Sequence, residues 1–165
     1  RVCGSGQERD HLDALARELA PGRVDVAREP VPFALIPGEL ARAHIGVVPT
    51  LHDPFTELLL PVKLLEYVHM GLPVVASRLP CIGDYFADGE DLRMFTPGDP
   101  HDLAAALREL SLDATAARER ALRARSRLQP IAWERQREHY LALVGELAPA
   151  PAPRRARRVP LSTPR

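Results

Sequence analysis

The chain has 165 residues, of which 45% are hydrophobic and 27% are charged. This length suits one domain with a core of ordinary size, and the composition excludes disorder as the overall state. The formal charges cancel, but five of the 22 basic residues lie in residues 149–165, so the rest carries 17 basic against 22 acidic residues. This acidic excess argues against nucleic-acid binding, which requires clustered Lys and Arg.

Targeting patterns and cysteine spacing indicate a cytoplasmic protein. The sequence begins at Arg1 and not at an initiator Met, and no signal peptide is visible after it. No run of about 18 apolar residues, the length of a membrane span, is visible either. Cys3 and Cys81 are far apart and do not have the spacing of a metal site. We predict that both are buried, reduced thiols.

The first third of the chain alternates strand and helix patterns. Residues 2–3 predict a strand that leads into Gly4-Ser5-Gly6, and residues 24–26 predict another short strand. An amphipathic helix is predicted after each of these strands. The first helix ends before Pro21-Gly22, and the second covers Pro32 to His44. The residues expected to be buried are Leu12, Leu15, Ala16 and Leu19 in the first helix and Leu35, Ile36, Leu40 and Ala43 in the second.

The middle of the chain continues this alternation with stronger signals. Residues 45–49 predict a strand, Pro61 to Met70 a helix, and residues 73–76 a fully apolar strand of the kind found in parallel sheets. Gly71 ends the helix in a turn that we expect to need a positive φ. A weaker strand is expected at residues 93–95.

Three helices complete the predicted fold. They cover Pro100–Leu110, Ala114–Leu128 and Ile131–Leu147, with Asp99 as the N-cap of the first. Strands alternating with helices predict an α/β fold with a doubly wound, Rossmann-like parallel sheet. We expect one domain over residues 1–147 and a disordered Pro/Arg-rich tail over residues 148–165.

Ligands of open parallel sheets bind beyond the carboxyl ends of the strands, and three polar segments follow predicted strands here. Gly4-Ser5-Gly6 suits an anion at a helix N-terminus, although such glycines also serve tight turns. The loop Thr50 to Glu57 is rich in polar side chains. Lys63 and Glu66 share one face of a helix. They either form an exposed ion pair, or the Glu66 carboxylate is partly buried and accepts hydrogen bonds from a vicinal diol.

The segment PVKLLEYVHMGLPVVAS, residues 61–77, resembles the hallmark of family-4 glycosyltransferases with the GT-B fold. Residues 4–6 resemble the strand-end glycines of that family, residues 43–50 its strand ending in Pro and Ser or Thr, and residues 95–104 its helix entry. Trp133 lies where the family often has an aromatic residue. The resemblance covers residues 1 to 147 and implies the C-terminal half of a GT-B fold.

The resemblance implies a role for each matching residue. Glu66 matches the Glu that hydrogen-bonds the ribose hydroxyls of the nucleotide. Glu57 is the counterpart of the acid that contacts the transferred sugar, although the family spacing would put that acid at position 58. Lys63 matches a Lys that contacts the donor phosphates or anchors the loop. The other donor contacts implied are Gly4, Gly6, Thr50, Leu58 and Leu59.

The activity implied is transfer, with retention, of a sugar from a UDP- or GDP-sugar to a glycan, lipid or small-molecule acceptor. No metal or cofactor is expected. The resemblance also implies that a first strand with an Arg and a Lys, and a whole acceptor domain, precede Arg1. This chain alone is therefore expected to be inactive. Peripheral association with the inner face of a membrane stays open.

Two alternatives stay open. A sugar-nucleotide epimerase shares this architecture, and the polar residues His52, Asp53 and Glu57 are compatible with acid/base chemistry. A non-catalytic nucleotide-sugar-binding module is favoured by the shifted Glu57 and disfavoured by Lys63 and Glu66. A serine hydrolase has little support, since Ser77 lacks the Gly-x-Ser-x-Gly elbow. A metal site at the adjacent His52 and Asp53 has little support either.

Overall fold

The computed structural model describes residues 1–3, 6–27 and 29–147. The chain forms two compact units, residues 1–128 and residues 129–165. The turn predicted at Gly4-Ser5 and the tail predicted over residues 148–165 lie outside the described residues. Among the helices of the described part, none is long and apolar enough to cross a membrane.

The first unit contains a three-stranded parallel sheet in the order β1-β2-β3. The strands are β1 (Gly46–Val48), β2 (Val74–Ser77) and β3 (Arg93–Phe95). Val47 pairs with Val75, and Ala76 pairs with Met94. The predicted parallel α/β sheet is confirmed, including the strand with the weakest signal.

Seven α-helices are described. They are α1 (Arg9–Leu19), α2 (Ile36–Leu40), α3 (Val62–His69), α4 (Pro80–Gly83), α5 (Pro100–Leu112) and α6 (Ala114–Arg127) in the first unit, and α7 (Trp133–Leu147) in the second. Single turns of 3-10 helix occur at Phe33–Leu35, Thr56–Leu58 and Gln129–Ile131. As predicted, Asp99 caps α5, because its side chain accepts bonds from the N–H groups of His101 and Asp102 at 2.8 and 3.1 Å.

Apolar side chains cover both faces of the sheet. On one face, Val48, Val74 and Met94 pack with Leu64 and Val68 of α3. On the other face, a second cluster joins the sheet to α5 and α6 and consists of Val75, Phe95, Ala106, Leu110 and Ala117. This two-sided burial explains why β2 is apolar throughout.

The end of α3 is a Schellman motif, which fixes where the chain turns back into β2. The N–H of Gly71 donates to the carbonyl of Val68, and the N–H of Leu72 donates to the carbonyl of Tyr67, both at 3.0 Å. Gly71 has φ +75°, in the left-handed region that favours glycine. The predicted positive φ at this position is confirmed.

The burial predicted for the first two helices is wrong. No residue of α1 is buried, and Leu19 is 71% exposed. The second helix is only one 3-10 turn followed by the five residues of α2, and Leu35 and Ala43 are exposed. The apolar period of α1 is present, but the described residues supply no element that covers its leucines.

The structure also differs from two smaller predictions. Residues 24–26 are not a full strand, and only a parallel bridge joins Val2 to Val26. Cys3 is exposed and Cys81 is half-buried, and both are free thiols. The prediction that both thiols are buried is therefore wrong, because Cys3 lies on an edge that no described strand covers.

Candidate functional site

A cleft of about 460 Å³ lies beside α3 in the first unit. Its walls come from residues 1 and 3, the loop at Pro30 and Val31, α2, residues 45–47 and the cleft-facing side of α3. Its apolar lining includes Val31, Ile36 and Leu40, and its polar lining includes Lys63 and Glu66. This mixture of apolar walls and a few polar groups is typical of small-molecule sites.

Lys63 and Glu66 face the cleft because the opposite side of α3 is fixed in the core. Leu64 and Val68 are fully buried, and residues one or two positions away point elsewhere around the helix. The described residues contain no ion pair between Lys63 and Glu66, so the interpretation of these residues as a simple exposed pair is wrong. Glu66 is half-buried and has no hydrogen-bond or ion-pair partner among the described residues. Its carboxylate is free to accept bonds from a ligand.

Tyr67 forms part of the cleft wall through a close approach to β1. A Cβ atom placed on Gly46 would lie 2.4 Å from Cδ2 of the Tyr67 ring. Burial raises the pKa of the Tyr67 hydroxyl, and the nearby Glu66 carboxylate adds to that effect. Gly46 is thus a site-forming residue that sequence reasoning missed, although a glycine inside a strand is a recognised signal of close approach.

The positive charges of the cleft are unequally available. The guanidinium of Arg1 is held by Asp25 at 3.1 Å and by Glu39 at 2.5 Å. Lys63 is exposed and makes no ion pair within the described part of the chain. An anionic ligand in this cleft would therefore meet Lys63 as its available cation.

The loop between β1 and α3 is organised around Asp53. One carboxylate oxygen of Asp53 accepts bonds from the N–H groups of Phe55 and Thr56, both at 2.8 Å. The Thr56 N–H bond is the main cause of the lowered pKa of the Asp53 carboxyl. The Asp53 carboxylate thus forms the turn of this loop.

Glu57 is paired with His52 on the same loop. The His52 Nε2 atom lies 2.7 Å from the Glu57 Oε1 atom, and both side chains are about half exposed. The side chains of Asp53 and His52 therefore bond to different partners. No group of three or more potential metal ligands occurs within residues 1–3, 6–27 and 29–147.

The structure brings together only part of the predicted site. Lys63 and Glu66 line the cleft, whereas Glu57 lies on the 3-10 turn that precedes α3. Thr50 is half-buried two residues after the end of β1, and Leu58 and Leu59 are exposed on the same loop as Glu57. Gly6 is exposed in open space. Gly4 lies outside the described residues.

A second, smaller cleft of about 270 Å³ lies along α1. Its charged side chains pair with each other, Arg9 with Asp10 at 2.9 Å and Arg17 with Asp13 one helical turn away. Its charges are already compensated, and few apolar groups accompany them. The cleft beside α3 is the better candidate site.

Comparison with known proteins identifies the family. Residues 1–113 match the family model of the glycosyl transferases group 1, so the chain belongs to this family. The glycogen synthases of two Mycobacterium tuberculosis strains, CDC 1551 and H37Rv, are each 29% identical over 156 residues, which is 91% of this chain and 36% of the relative. The chain thus spans about a third of the length of these curated relatives.

Solved structures of similar fold include a sucrose-phosphate synthase and a protein with bound UDP. Sucrose-phosphate synthase from Thermosynechococcus elongatus has a TM-score of 0.74 and 24% identity, covering 86% of this chain and 35% of that one. The Anabaena protein HepE, in complex with UDP and glucose, has a TM-score of 0.70 and 17% identity, covering 84% of this chain and 37% of that one. These likenesses show the fold, the C-terminal half of GT-B.

Proposed function

We propose that this member of the glycosyl transferases group 1 family binds the nucleotide-sugar donor of a two-domain glycosyltransferase. The observation that carries the proposal is the half-buried, unpartnered carboxylate of Glu66 in the cleft beside α3. A carboxylate in that position is satisfied by the two hydroxyl donors of a ribose. The apolar residues Val31, Ile36 and Leu40 then form the walls against which the base packs.

Lys63 is proposed to contact the diphosphate of the donor. Among the described residues, Lys63 is the cation of the cleft that forms no ion pair with an acidic side chain. It lies three residues from Glu66 on the same helix face. As the sugar leaves the nucleotide, negative charge develops on the diphosphate, and a fixed cation stabilises that charge. A single lysine is a weak anion site, so we expect donor binding by this chain alone to be weak and transfer to be absent.

Glu57 is proposed to contact the transferred sugar and to support departure of the diphosphate. It is the acid that precedes α3 in the chain, and its half-exposed carboxylate is held by His52. Transfer is proposed to retain the configuration of the sugar. Gly4, Gly6, Thr50, Leu58 and Leu59 are proposed as the further donor contacts, the glycines through backbone N–H groups.

The donor is proposed to be a UDP- or GDP-sugar. The UDP and glucose bound to HepE support a donor of this class. The acceptor, whether a glycan, a lipid or a small molecule, is proposed to bind mainly to a part of the protein other than residues 1–147. We further propose a cytoplasmic protein with peripheral association at the inner face of a membrane, and a reaction that uses no cofactor.

The test of this proposal is equilibrium binding of UDP and of GDP, measured by titration calorimetry. Glu66→Gln keeps the size of the side chain but removes the charge, and we expect binding to weaken at least about tenfold, since a charged hydrogen bond contributes about 1.5–3 kcal/mol. Glu90→Gln, on an exposed carboxylate that does not line the cleft, is the matched control. Equal binding by both variants, or unfolding of Glu66→Gln, would overturn the role of Glu66.

A second candidate is a non-catalytic nucleotide-sugar-binding module. Two features of Glu57 favour this second candidate. Its carboxylate is paired with His52, and it lies one residue before the position that the family spacing requires. Both candidates predict nucleotide binding through Glu66. They differ in a longer protein that contains this chain, where Glu57→Gln lowers turnover only if Glu57 takes part in transfer.

A further inference from the structure

Helix α6 concentrates positive charge in a part of the chain that is acidic overall. Its 14 residues include five arginines and one glutamate, whereas residues 1–148 as a whole carry 17 basic against 22 acidic residues. The core face of α6 consists of three buried alanines, Ala117, Ala121 and Ala124. The arginines are therefore spread over the remaining surface of the helix.

Three of these arginines hold α6 to the rest of the first unit. Arg120 Nη1 lies 2.8 Å from the carboxylate of Glu109 on α5, and Arg127 Nε lies 3.1 Å from the buried carboxylate of Asp91. The Nε of Arg123 donates at 2.7 Å to a backbone carbonyl of the loop before β3. Contacts within the unit thus account for these three side chains.

The other two arginines, Arg118 and Arg125, have no such contacts. Both are exposed, and neither makes an ion pair or a side-chain hydrogen bond within the described residues. Leu122 lies between them and is 64% exposed. Helix geometry places the three side chains within an arc of about 60°, so they share one side of α6. We call Arg118, Leu122 and Arg125 the outer stripe.

We propose that the outer stripe is a docking surface for a bilayer that contains anionic lipids. The charges are complementary, because two guanidinium groups that no acid of the described residues neutralises meet the phosphates of the headgroups. Leu122 inserts at the boundary between the headgroups and the acyl chains. The inference names the surface behind the membrane association proposed above. It rests on that association and does not depend on donor binding.

The composition of α6 favours a lipid surface over a nucleic acid. The phosphates of a nucleic acid would pair with the arginines, but they offer no apolar region for Leu122. Single-stranded nucleic acids are bound by stacking bases on aromatic side chains, and α6 contains no aromatic residue. An exposed leucine flanked by arginines is instead the combination that binds the interface of a bilayer.

The experiment is co-sedimentation of the full chain with vesicles of equal parts phosphatidylglycerol and phosphatidylcholine. The test variant combines Arg118→Gln with Arg125→Gln. An arginine near an anionic surface strengthens binding about fivefold, so the test variant should have a partition coefficient about 25-fold lower. Added NaCl should weaken binding of the unchanged chain, and vesicles of phosphatidylcholine alone should bind neither protein.

The matched control combines Arg23→Gln with Arg42→Gln. These two arginines are also exposed, make no ion pair in the part of the chain that the structure describes, and line neither cleft. The control therefore removes the same charge from another place, and it should bind the vesicles like the unchanged chain.

The test variant should fold, because Gln is a good helix former and the replaced side chains are exposed. Circular dichroism checks its helix content. Should that content fall, Leu122→Gln keeps both arginines and tests the same surface through its apolar member. We expect this single substitution to weaken vesicle binding about tenfold, since each inserted CH₂ group contributes to membrane affinity.

Two comparisons separate the outer stripe from other parts of the chain. Residues 149–165 carry five arginines, and their replacement by Gln should leave the effect of the test variant on vesicle binding unchanged. The test variant should bind UDP like the unchanged chain, since neither of its substituted residues lines the cleft beside α3. Glu66→Gln should conversely keep full vesicle binding, so failure of the donor site and failure of this surface are distinguishable.

Three results would overturn the proposal. The first is equal vesicle binding by the test variant and the matched control. The second is vesicle binding that is lost with the five arginines of residues 149–165 and is insensitive to the outer stripe. The third is binding of single-stranded RNA, without vesicle binding, that the test variant loses, because α6 would then be a nucleic-acid surface.

Discussion

At the scale of single residues, Gly46 is the position where one missing atom shapes the site. The ring of Tyr67 occupies the space next to it, and a Cβ there would lie 2.4 Å from the ring. Gly46→Ala is therefore expected to displace Tyr67 and to lower the free energy of unfolding by about 1–3 kcal/mol, the usual cost of overpacking. Urea denaturation measures the change.

The control for this substitution is Gly83→Ala in α4, where an added Cβ meets no atom within 4 Å. We expect Gly83→Ala to be neutral or slightly stabilising, because Ala is the better helix former. Equal loss of stability in the two variants would contradict the packing of Tyr67 against Gly46.

Asp102 gives a prediction about pH. The N–H and the hydroxyl of Thr96 donate to its carboxylate at 2.7 and 2.8 Å, and the backbone bond is the main cause of its lowered pKa. Its ionised form therefore stabilises the fold above the ordinary pKa of 3.8, and this contribution is lost as the pH falls through the folded-state value.

Asp102→Asn should accordingly be less stable than the unchanged chain at pH 7. The difference between the two urea midpoints should shrink as the pH is lowered below 3.8, the ordinary value for Asp. A difference that stayed constant down to pH 2 would show that ionisation of Asp102 does not contribute.

At the scale of elements, the turn from α3 into β2 fixes the helix that carries Lys63 and Glu66. Gly71 has φ +75°, and its substitution by Ala should cost about 1–2 kcal/mol of unfolding free energy, the penalty of a left-handed conformation for a residue with a Cβ. Thermal unfolding measures this cost. Gly38→Ala, in α2 and without a positive φ, is the control, and a similar loss there would argue against the Schellman motif as the cause.

The elements that the sequence predicts well are those whose partners lie within the described residues. The strand over residues 74–77 is a continuous apolar run and is buried at every position. The helix over residues 62–69 ends before Gly71 as expected, and it buries one face through Leu64 and Val68. The period of α1 is equally clear, yet Leu12 and Leu15 are exposed. Periodicity predicts a helix and its apolar face, but it does not reveal whether another element covers that face.

At the scale of the whole molecule, the sequence predicts the cleft better than the contacts within it. Motif and helix geometry predict Glu66 and Lys63 as site residues, and the side chains of both line the cleft. The pairing of His52 with Glu57 was not foreseen, because it depends on the turn that Asp53 and Thr56 build. Such loop geometry has no simple sequence period.

The last segment of the chain also gives a prediction. Residues 149–165 are rich in Pro, Ala and Arg and have few large apolar side chains, so they cannot contribute much to a core. Their removal should leave the melting temperature of the rest unchanged, as measured by calorimetry. A lowered melting temperature would mean that this segment packs against the folded part.

The most direct test of the proposed donor site is to map where UDP contacts the chain, using amide chemical shifts recorded during a titration. We predict that the largest changes occur at the cleft beside α3, around Val31, Lys63 and Glu66. Changes centred on the charged cleft of α1, around Asp10 and Asp13, or no saturable change at any amide, would contradict donor binding at Glu66.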